Sequence, residues 1–454
     1  MNDLRVVVIG CGYVGLTTSI ALAYIGHRIH CIDQNKDLIH SLQEGKVTIY
    51  ESGVKELLSK VGKKLTFGLW DTFVNDADVI LIAVGTPPKS NGDADMSNVE
   101  AVARELGHRL ETKTPPVIVN KSTVPVGSAK RVESIVRHGL RSRGINVPVP
   151  VASNPEFLRE GVALFDTFYP DRIVIGTEDI YAVQILRKMY APILEQTFSP
   201  PEMIPRPDGF RSPVLIATSL SSAELIKYAA NAFLTMKISY INEIADLAER
   251  VGADIKEVKF GIGLDKRIGT KYLNAGIGWG GSCFGKDVQA LIHMASLYGC
   301  KMQLCEASIQ VNRLQREAVI KKLQSALKVL RGRTIGLLGL SFKPGTDDLR
   351  DAPSLVIANR LIELGSYVKV YDPVAMDTCR RNYPELDIEY ACNVEDLALG
   401  ADALVLVTEW EEFSRLPFDQ LGKRMRQKII VDGRNELNSK DLVKSGFLYF
   451  GIGR

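Results

Sequence analysis

The stretch Arg5-Val6-Val7-Val8-Ile9-Gly10-Cys11-Gly12-Tyr13-Val14-Gly15 decides the fold of the amino-terminal part of the chain. It starts as a short apolar strand and continues into a G-x-G-x-x-G turn that opens a helix reaching about Gly26. A second strand, Ile29–Ile32, ends at Asp33. This βαβ pattern predicts dinucleotide binding, because the glycines let a pyrophosphate approach the backbone and the helix N-terminus offers free N–H groups. The alternative is a glycine-rich turn that serves packing alone.

Asp33 indicates which dinucleotide the turn binds. Its carboxylate suits the hydroxyls of the adenosine ribose and would repel the 2′-phosphate of NADP, so the expected cofactor is NAD. Lys36 is the nearby basic residue that can face the same ribose. Gly85-Thr86 and Thr123 follow apolar strands, at the edge where open α/β sheets bind ligands, and we expect contacts with cofactor or substrate there. Capping of a strand end is the alternative role for each threonine.

Strands and helices alternate along most of the chain. Further strands of the first series are predicted at 79–84, 117–120, 149–152 and 173–175, and we expect a parallel, doubly wound sheet. The proline-rich residues 198–217 predict a loop or linker, after which a long helical pattern starts at Ser221 and further helices reach about Leu330. The alternation then restarts, with strands predicted at 334–340, 368–371, 404–407 and 429–431.

The predicted fold class is therefore α/β, with two Rossmann-like doubly wound domains joined by a long central helix and a helical middle domain. The predicted boundaries give an NAD-binding domain at 1–215 and a helical central domain at 216–328, which carries the cysteine loop and a dimerisation surface. The second α/β domain is predicted at 329–454.

The composition argues against several classes of partner. A formal net charge of +3 on 454 residues is too small to suggest nucleic acid or an anionic membrane surface. We expect no secretory signal and no membrane helix, since no apolar run approaches about 18 residues. Seven scattered cysteines predict a reducing, cytoplasmic compartment, and the six histidines predict no metal site.

The most informative stretch beyond the glycine turn is Gly278-Trp279-Gly280-Gly281-Ser282-Cys283-Phe284-Gly285-Lys286-Asp287. Its glycines can bring the backbone close to a ligand, and Cys283 stands where a helix begins. A helix N-terminus and the neighbouring Lys286 both favour the thiolate, which is the nucleophilic form of cysteine. Cys283 is therefore the predicted nucleophile, and the other cysteines are predicted to be inert.

Other polar side chains have the spacing of a catalytic site. Asp287 lies one helical turn after Cys283 and can orient or deprotonate a water. Lys227 and Asn231 are also one turn apart, on the long helix, and suit a developing oxyanion and a sugar hydroxyl. From the helical pattern alone, a solvated lysine is the simpler explanation of Lys227.

A pair of carboxylates follows another predicted strand. The segment Asn154-Pro155-Glu156-Phe157-Leu158-Arg159-Glu160-Gly161 places Glu156 and Glu160 near the same sheet edge as the threonines. Either carboxylate can transfer a proton during catalysis, and the sequence does not rank them.

These motifs, in this order, resemble the UDP-glucose/GDP-mannose dehydrogenase family over essentially the whole chain. The resemblance is carried by the glycine turn, the threonine and glutamate segments and the cysteine loop already quoted, together with Ser122-Thr123-Val124-Pro125-Val126-Gly127, Glu224-Leu225-Ile226-Lys227-Tyr228-x-x-Asn231, Gly339-Leu340-x-Phe342-Lys343, Thr408-Glu409-Trp410 and Asp432-Gly433-Arg434. It implies that the domain at 329–454 binds a UDP-sugar.

The resemblance also implies a four-electron oxidation of UDP-glucose to UDP-glucuronate. NAD takes a hydride from C6 of the sugar, and Cys283 adds to the bound aldehyde as a thiohemiacetal. A second hydride transfer leaves a thioester, which water hydrolyses to the acid. The matching positions imply that Lys227 and Asn231 stabilise the oxyanion, and that Thr123 and Asp287 position the water.

Motifs and resemblance together give the expected ligand contacts. The cofactor contacts are Gly10, Gly12, Tyr13, Val14, Gly15, Asp33, Lys36, Gly85, Thr86, Thr123, Glu160, Lys286 and Arg350. The UDP-sugar contacts are Glu156, Phe157, Leu158, Arg159, Glu160, Lys227, Asn231, Arg267, Tyr272, Leu273, Asn274, Gly276, Gly280, Cys283, Phe342, Lys343 and Arg434. Arg267 resembles an arginine that reaches the substrate of a neighbouring subunit, which implies a homodimer or a higher homo-oligomer.

Three alternatives stay open at this point. Ser282 stands where members acting on UDP-N-acetyl sugars tend to have histidine, so UDP-glucose is favoured over a UDP-N-acetylhexosamine or another nucleotide-hexose. A two-electron β-hydroxyacid dehydrogenase shares a similar first domain, but it needs neither Cys283 nor a second α/β domain. A non-catalytic sensor of cofactor or UDP-sugar would be expected to lose the set formed by Cys283, Lys227 and Asp287.

Overall fold

The computed structural model describes residues 3–70, 72–111 and 114–454, which form two compact units. The first unit contains the described residues up to Ala230 together with Gln289–Met294, and the second contains Asn231–Val288 together with Ala295–Arg454. No helix in these ranges combines the length and the apolar character needed to cross a membrane. The three predicted domains, with boundaries at 215 and 328, stay a prediction.

The first unit is built on an eight-stranded sheet with the order β3-β2-β1-β4-β5-β6-β7-β8. The strands are β1 (Arg5–Ile9), β2 (Arg28–Ile32), β3 (Leu65–Gly68), β4 (Val79–Ile82), β5 (Val117–Asn120), β6 (Val151–Ser153), β7 (Arg172–Gly176) and β8 (Val214–Thr218). The helices are α1 (Tyr13–Tyr24), α2 (Lys36–Gln43), α3 (Val54–Val61), α4 (Ser97–Arg109), α5 (Ser128–Ser142), α6 (Ala163–Phe168) and α7 (Ile180–Leu194), with 3₁₀ turns at Gly62–Lys64 and Thr72–Asn75.

Apolar residues on both faces explain why this sheet is covered on both sides. Successive side chains of a strand point to opposite faces, so a strand that is buried on both faces has a continuous apolar sequence. In β1, Val6 and Val8 belong to one core cluster, whereas Val7 and Ile9 belong to another. All residues of β4 and β5 are buried, which places these two strands in the middle of the sheet.

Two details of this sheet differ from the sequence prediction. The pairing of β6 with β7 is antiparallel, through Ser153 and Gly176, so the sheet is not parallel throughout. The predicted linker at 198–217 was wrong in its last residues, because β8 begins at Val214 and pairs with β7. As an edge strand β8 leaves apolar side chains exposed, Val214 by 65%, and it lacks the buried pattern from which strands are predicted.

The long helix predicted from Ser221 is present as α8 (Leu220–Val251). It is followed by α9 (Ile255–Gly263), α10 (Phe284–Leu297) and α11 (Gln303–Leu327). Asp254 caps α9 by accepting a hydrogen bond from the Lys256 N–H. The glycine-rich residues that precede α10 form a loop, and Cys283 is the residue that caps the helix.

The second unit contains a six-stranded parallel sheet with the order β11-β10-β9-β12-β13-β14. Its strands are β9 (Thr334–Leu338), β10 (Tyr367–Tyr371), β11 (Glu389–Tyr390), β12 (Ala403–Leu406), β13 (Ile429–Asp432) and β14 (Leu448–Phe450). Its helices are α12 (Pro353–Glu363), α13 (Met376–Asn382), α14 (Val394–Ala398), α15 (Glu411–Ser414), α16 (Phe418–Arg424) and α17 (Ser439–Lys444). Each face of this sheet packs against its own apolar cluster.

Candidate active site

The glycine turn after β1 has a backbone that other residues cannot adopt. Gly10 has a φ of +106°, in the region that favours glycine, and its N–H donates a hydrogen bond to the Ile32 carbonyl at 2.7 Å. A Cβ at Gly10 would lie 2.6 Å from the Ala83 carbonyl oxygen, and one at Gly15 would overlap the carbonyl oxygen of Gly10. These two glycines are therefore required by the turn itself.

Gly12 is different, because packing does not require it. It is exposed and has a φ of −72°, which any residue can adopt, and a Cβ added there would meet no described atom within 4 Å. Gly12 also caps α1, whose first turn has no acidic residue. Open space in front of unpaired helix N–H groups fits a pyrophosphate, so the residues of this turn fit a bound dinucleotide.

Asp33 is held at the end of β2 by backbone groups. One carboxylate oxygen accepts the Cys11 N–H at 2.8 Å, and the other accepts the Asn35 N–H at 2.9 Å. The side chain is half-buried, and Lys36 is exposed at the start of α2. The carboxylate is thus fixed beside the glycine turn and keeps lone pairs for a further donor such as a ribose hydroxyl.

Replacing Asp33 by alanine should narrow the preference for NAD over NADP, because the charge that repels a 2′-phosphate is lost. We expect the ratio of kcat/KM for NAD to that for NADP to fall by at least about tenfold, or about 1.4 kcal/mol. Asp33→Asn is the matched control, since it keeps an oxygen for the Cys11 N–H and loses only the charge. Steady-state kinetics with both cofactors measure the ratio, and an unchanged ratio in both variants would refute this role.

The Tyr13 side chain, an expected cofactor contact, is engaged within the first unit. Its hydroxyl donates to the Glu51 carboxylate and accepts the Gly161 N–H. Burial raises the pKa of Tyr13, and Glu51 beside it raises the pKa further. Any contact of Tyr13 with a cofactor would therefore come from its ring or its backbone, and its neighbour Val14 is half-buried.

The threonines at the strand ends connect two loops. The Thr86 hydroxyl donates to the Thr123 carbonyl at 2.9 Å, and the Asn98 side chain donates to the Gly85 carbonyl at 3.0 Å. Thr86 is buried, whereas Thr123 is half-buried. The hydroxyl of Thr86 is thus hydrogen-bonded to the neighbouring loop, and Thr123 is the more exposed of the two threonines.

Glu156 forms a buried ion pair with Lys227. The Lys227 Nζ lies 2.9 Å from one carboxylate oxygen of Glu156, and the Leu158 N–H donates to the other at 2.9 Å. Burial opposes the ionisation of Glu156, but the charges of Lys227 and Lys121 outweigh it and lower the pKa of Glu156. The solvated lysine considered for Lys227 is therefore wrong: this lysine is buried on α8, against a carboxylate.

Lys121 is a buried lysine that the sequence analysis did not single out. It follows β5, and its Nζ donates to the Asn154 side-chain oxygen at 3.2 Å. The Tyr190 hydroxyl donates to the same oxygen at 2.5 Å. Burial lowers the pKa of Lys121 to about 8. The only signal in the sequence was a lysine directly after an apolar strand, where a solvated side chain is the usual expectation.

The other side chains of the glutamate segment have partners of their own. The Arg172 guanidinium stacks 3.7 Å from the centre of the Phe157 ring. Arg159 forms a two-point ion pair with Asp166, at 2.7 and 2.9 Å. Glu160 is half-buried. Arg159 can therefore contact a ligand only in competition with Asp166.

A carboxylate on α8 connects this helix with the threonine loop. Glu224 is buried and accepts hydrogen bonds from the Gly127 N–H at 2.7 Å and the Ala129 N–H at 2.9 Å. It thereby caps α5 from another helix, since Gly127 has no side chain that could do so. Glu224 fixes the position of α8, which carries Lys227, relative to the loop that contains Thr123.

In the second unit, Cys283 lies at the N-terminus of α10 and is half-buried. Its Sγ is 3.4 Å from the Ser282 hydroxyl. Asp287, one turn along, is only 1% exposed; it accepts the Asn231 side-chain N–H at 2.6 Å and pairs with the Lys286 Nζ at 2.5 Å. Cys283, Asn231 and Asp287 are thus brought together, and the charge of Lys286 is largely balanced by Asp287.

The glycines of the cysteine loop mark close approaches to other segments. A Cβ at Gly276 would lie 2.7 Å from the Gly433 carbonyl oxygen, and a Cβ at Gly281 would lie 2.7 Å from the Phe342 ring. A Cβ at Gly280 would overlap the Asp351 carbonyl oxygen. The segments that contain Phe342, Asp351 and Gly433 are therefore packed closely against the glycines that precede Cys283.

Arg434, a predicted UDP-sugar contact, binds several groups of the protein itself. Its guanidinium donates to the carbonyls of Val407 at 2.7 Å, Gly278 at 3.0 Å and Phe342 at 3.4 Å. It also pairs with Glu409 at 3.2 Å. Arg434 thus holds together the segments around the cysteine loop.

The remaining predicted ligand contacts of the second unit lie in loops. Lys343 is half-buried, with its Nζ 5.4 Å from the centre of the Phe342 ring. Tyr272 has a φ of +63°, Leu273 is buried and Asn274 is exposed. Exposed arginines pair with nearby carboxylates, Arg267 with Asp265 and Arg350 with Asp348, both through the guanidinium.

The second sheet repeats the plan of the first, but its acidic residue is not available. Asp372 follows β10 as Asp33 follows β2. It is 0% exposed and accepts hydrogen bonds from the N–H groups of Leu340 at 2.7 Å and Ala375 at 2.8 Å, and from the Trp410 indole at 3.1 Å. A ribose hydroxyl cannot reach it, so the second sheet lacks the accessible carboxylate that Asp33 provides beside the first.

Three family models match the chain in succession. The NAD binding domain of the UDP-glucose/GDP-mannose dehydrogenase family matches residues 4–194, the central domain matches 221–314, and the UDP binding domain matches 336–439. The prediction of NAD as cofactor, and of an NAD-dependent oxidoreductase, is confirmed by these matches.

Curated relatives are similar along nearly the whole chain. UDP-glucose 6-dehydrogenase TuaD of Bacillus subtilis is 42% identical over 453 residues, which cover 99% of this chain and 93% of the relative. UDP-glucose 6-dehydrogenase of Pseudomonas aeruginosa is 43% identical over 464 residues, which cover 99% of this chain and 98% of the relative.

Solved structures agree with these relatives. A UDP-glucose dehydrogenase from Pyrobaculum islandicum superposes with a TM-score of 0.87 at 36% identity, covering 100% of this chain and 98% of that one. A UDP-D-ManNAc dehydrogenase from Pyrococcus horikoshii superposes with a TM-score of 0.83 at 25% identity, covering 99% of each chain. The predicted fold class is confirmed, and the chain belongs to the UDP-glucose/GDP-mannose dehydrogenase family.

Proposed function

We propose that this protein oxidises UDP-glucose to UDP-glucuronate with NAD, as a UDP-glucose 6-dehydrogenase. The observation that carries the proposal is the environment of Cys283: a half-buried thiol at a helix N-terminus, beside Asn231 and Asp287, in a loop that only glycines can form. A two-electron alcohol dehydrogenase has no use for such a thiol, whereas oxidation of an aldehyde to an acid through a thioester requires one.

The proposed reaction balances as two oxidations and one hydrolysis. When bound, NAD would supply the hydride acceptor for C6 of the sugar in each of the two oxidations. Between the two, the Cys283 thiolate adds to the aldehyde carbon, and the carbonyl oxygen becomes the oxyanion of a thiohemiacetal. The second oxidation converts this carbon into a thioester. Water then attacks the thioester, the C–S bond breaks, and the thiolate is regenerated as the acid is released.

Charged and polar residues have distinct roles in this scheme. Lys227 and Asn231, one turn apart on α8, are proposed to stabilise the oxyanion. Asp287 and Thr123 are proposed to position the water. Between the two carboxylates left open by the sequence, we propose Glu156 as the base, because it lies 2.9 Å from the Nζ of Lys227, the residue proposed for the oxyanion.

The remaining predicted contacts are proposed to hold the ligands. The glycine turn, Asp33, Lys36, Gly85, Thr86, Glu160, Lys286 and Arg350 are assigned to the cofactor. The segment 157–160, the loop 272–276, Gly280, Phe342, Lys343 and Arg434 are assigned to the UDP-sugar. The close approach of Phe342 to Gly281, and of the segment before Arg434 to Gly276, supports the second assignment, since it brings these segments near the loop of the reacting thiol.

A UDP-N-acetylhexosamine is the second candidate substrate. It is supported by the structural similarity to the UDP-D-ManNAc dehydrogenase from Pyrococcus horikoshii. UDP-glucose is favoured by the higher identity of the relatives named UDP-glucose 6-dehydrogenase and by Ser282 before the cysteine.

A panel of nucleotide sugars assayed with NAD tests the proposal. Purified protein should release about two NADH for each UDP-glucose consumed, because both oxidations occur before the product leaves. UDP-N-acetylglucosamine, UDP-N-acetylmannosamine and GDP-mannose are the comparison substrates, and each should react with kcat/KM at least about tenfold lower. One NADH per sugar would contradict the four-electron reaction, and a preference for an N-acetylated sugar would support the second candidate.

We also propose a homo-oligomer in the cytoplasm. Helix α8 presents a stripe of exposed apolar side chains, Phe233, Tyr240, Leu247 and Val251, which a second copy of the chain would bury. Arg267 is exposed, as expected if it reaches the substrate of a neighbouring subunit. The seven cysteines are all thiols, which agrees with a reducing compartment.

A further inference from the structure

Two residues of α11 hold the backbone of the cysteine loop at Trp279. The Asn312 side chain accepts the Trp279 N–H at 2.7 Å and donates to the Trp279 carbonyl at 3.0 Å. Arg316, one turn further along α11, donates to the same carbonyl at 3.1 Å. The Trp279 backbone therefore forms three hydrogen bonds with side chains of α11, one as donor and two as acceptor, in a loop whose glycines have little conformational preference of their own.

Arg316 also binds the loop that precedes α12. Its guanidinium lies 2.8 Å from a carboxylate oxygen of Asp351 and 3.3 Å from the Asp351 carbonyl oxygen. The Arg316 side chain is only 10% exposed, so this ion pair is shielded from water on the arginine side. One guanidinium thus connects the cysteine loop with the loop of Asp351.

The Asp351 loop is strained and lies directly against the cysteine loop. Asp351 has a φ of +51°, a conformation that residues other than glycine rarely adopt. Its carbonyl oxygen occupies the space that a Cβ of Gly280 would need, and the Gly281 N–H donates to the Arg350 carbonyl at 3.0 Å. Strained residues persist only where the surroundings hold them, and here the holding group is Arg316.

We infer that Arg316 is a positioning residue for the nucleophile, acting through Trp279 and Asp351 to fix the loop that ends at Cys283. The inference rests on the proposed function for the role of the thiol. By restraining both loops before any ligand binds, the guanidinium keeps Cys283 at the N-terminus of α10, which favours the thiolate. The charged groups around the first turn of α10 are Lys286 and Asp287, which pair with each other, and Asp351, which pairs with Arg316. Loss of Arg316 would therefore change both the position of Cys283 and the balance of these charges.

The first test separates catalysis from binding. Arg316→Met should lower kcat by about 10- to 100-fold, as small displacements of reacting groups do, while KM for UDP-glucose and NAD stays within about threefold. Arg316→Lys should recover part of kcat, because the contacts with Trp279 and Asp351 all come from the guanidinium nitrogen Nη2, which a lysine Nζ can partly replace. Arg313→Met, on the exposed face of α11, is the matched control and should behave as wild type.

The second test needs no enzymatic activity. The rate of alkylation of Cys283 by iodoacetamide, followed by peptide mass spectrometry across pH, reports the midpoint of thiolate formation. This midpoint should rise by about 0.5 to 1 pH unit in Arg316→Met and stay unchanged in Arg313→Met. An unchanged midpoint in Arg316→Met overturns the inference, whatever the activity of the variant.

If Arg316→Met does not fold, Arg316→Gln removes the same ion pair but keeps a side-chain N–H, and its midpoint should rise in the same direction; an unchanged midpoint overturns the inference. Wild-type protein that failed to oxidise UDP-glucose would overturn the proposed function alone, because the alkylation midpoint would still report whether Arg316 positions Cys283.

Discussion

Replacing Cys283 by serine should abolish formation of the uronic acid, with a loss of at least about 1000-fold in its rate. The serine hydroxyl is not ionised near neutral pH, so it cannot add to the aldehyde as the thiolate does. The first oxidation does not need the thiol, and some aldehyde should still form. Hydrazine-type trapping and mass spectrometry of the sugar product measure aldehyde and acid separately, and NADH release should approach about one per sugar.

The control for this prediction is Cys300→Ser. Cys300 is exposed and lies outside α10 and α11, so its replacement should leave both oxidations unchanged. The affinity of Cys283→Ser for UDP-glucose, measured by calorimetry, should stay within about threefold of wild type, which would exclude a loss of folding. Acid formation by Cys283→Ser at a rate near that of wild type would disprove the thioester mechanism.

Alanine substitutions at Gly15 and Gly12 should have opposite consequences. A Cβ at Gly15 overlaps the Gly10 carbonyl oxygen, so Gly15→Ala must displace the turn or α1. We expect a destabilisation of about 2 kcal/mol or more, seen as a lower Tm, together with loss of measurable NAD binding. A methyl group at Gly12 meets open space, so Gly12→Ala should keep the Tm of wild type.

Gly12→Ala should nevertheless weaken NAD binding by about 10- to 100-fold, because the methyl group occupies the space through which the pyrophosphate approaches the helix N-terminus. Thermal unfolding and calorimetric titration with NAD distinguish the two effects. Gly26→Ala is not a suitable control, since its φ of +116° strains any side chain. Normal NAD binding by Gly12→Ala would show that the cofactor does not use this turn.

The features that the sequence predicted well are local ones. The turn after β1 depends on glycines within six consecutive positions, and the start of α10 depends on residues next to Cys283. Their geometry follows from backbone conformation and helix termini, which neighbouring residues determine. The buried strands were also predicted from local sequence, because a short continuous apolar run such as that of β4 is typical of a strand covered on both faces.

The features that the sequence did not reveal depend on contacts between distant segments. Edge strand β8 has exposed side chains and a proline-rich approach, so its sequence resembled a linker. Lys121 and Arg316 resembled ordinary surface residues. Their sequence positions do not show that each side chain is buried with a hydrogen-bond partner from a distant segment, Asn154 for Lys121 and Asp351 for Arg316. Glu224 caps a helix that begins about a hundred residues earlier, and no local motif records such a cap.

For several charged residues, the sequence indicated a ligand as the binding partner but did not indicate the competing partners within the protein. Arg434 and Arg159 were predicted as ligand contacts from their charge, and the structure supplies the competing partners that charge alone cannot show. For Arg434 these are backbone carbonyls, which a sequence never identifies. A variant at such a position would change loop packing as well as ligand affinity, so its kinetics would mix both effects.

The burial of Asp372 bears on how NAD and a nucleotide sugar can bind to the same chain without competing. Both sheets have the same plan, and a nucleotide with two ribose-phosphate groups could in principle compete for either. The Asp372 carboxylate is already hydrogen-bonded to backbone N–H groups and to the Trp410 indole. The second sheet therefore offers no carboxylate acceptor to the ribose of a dinucleotide. We therefore expect an excess of NAD to leave the binding of the nucleotide sugar at the second sheet unchanged, which a competition titration would measure.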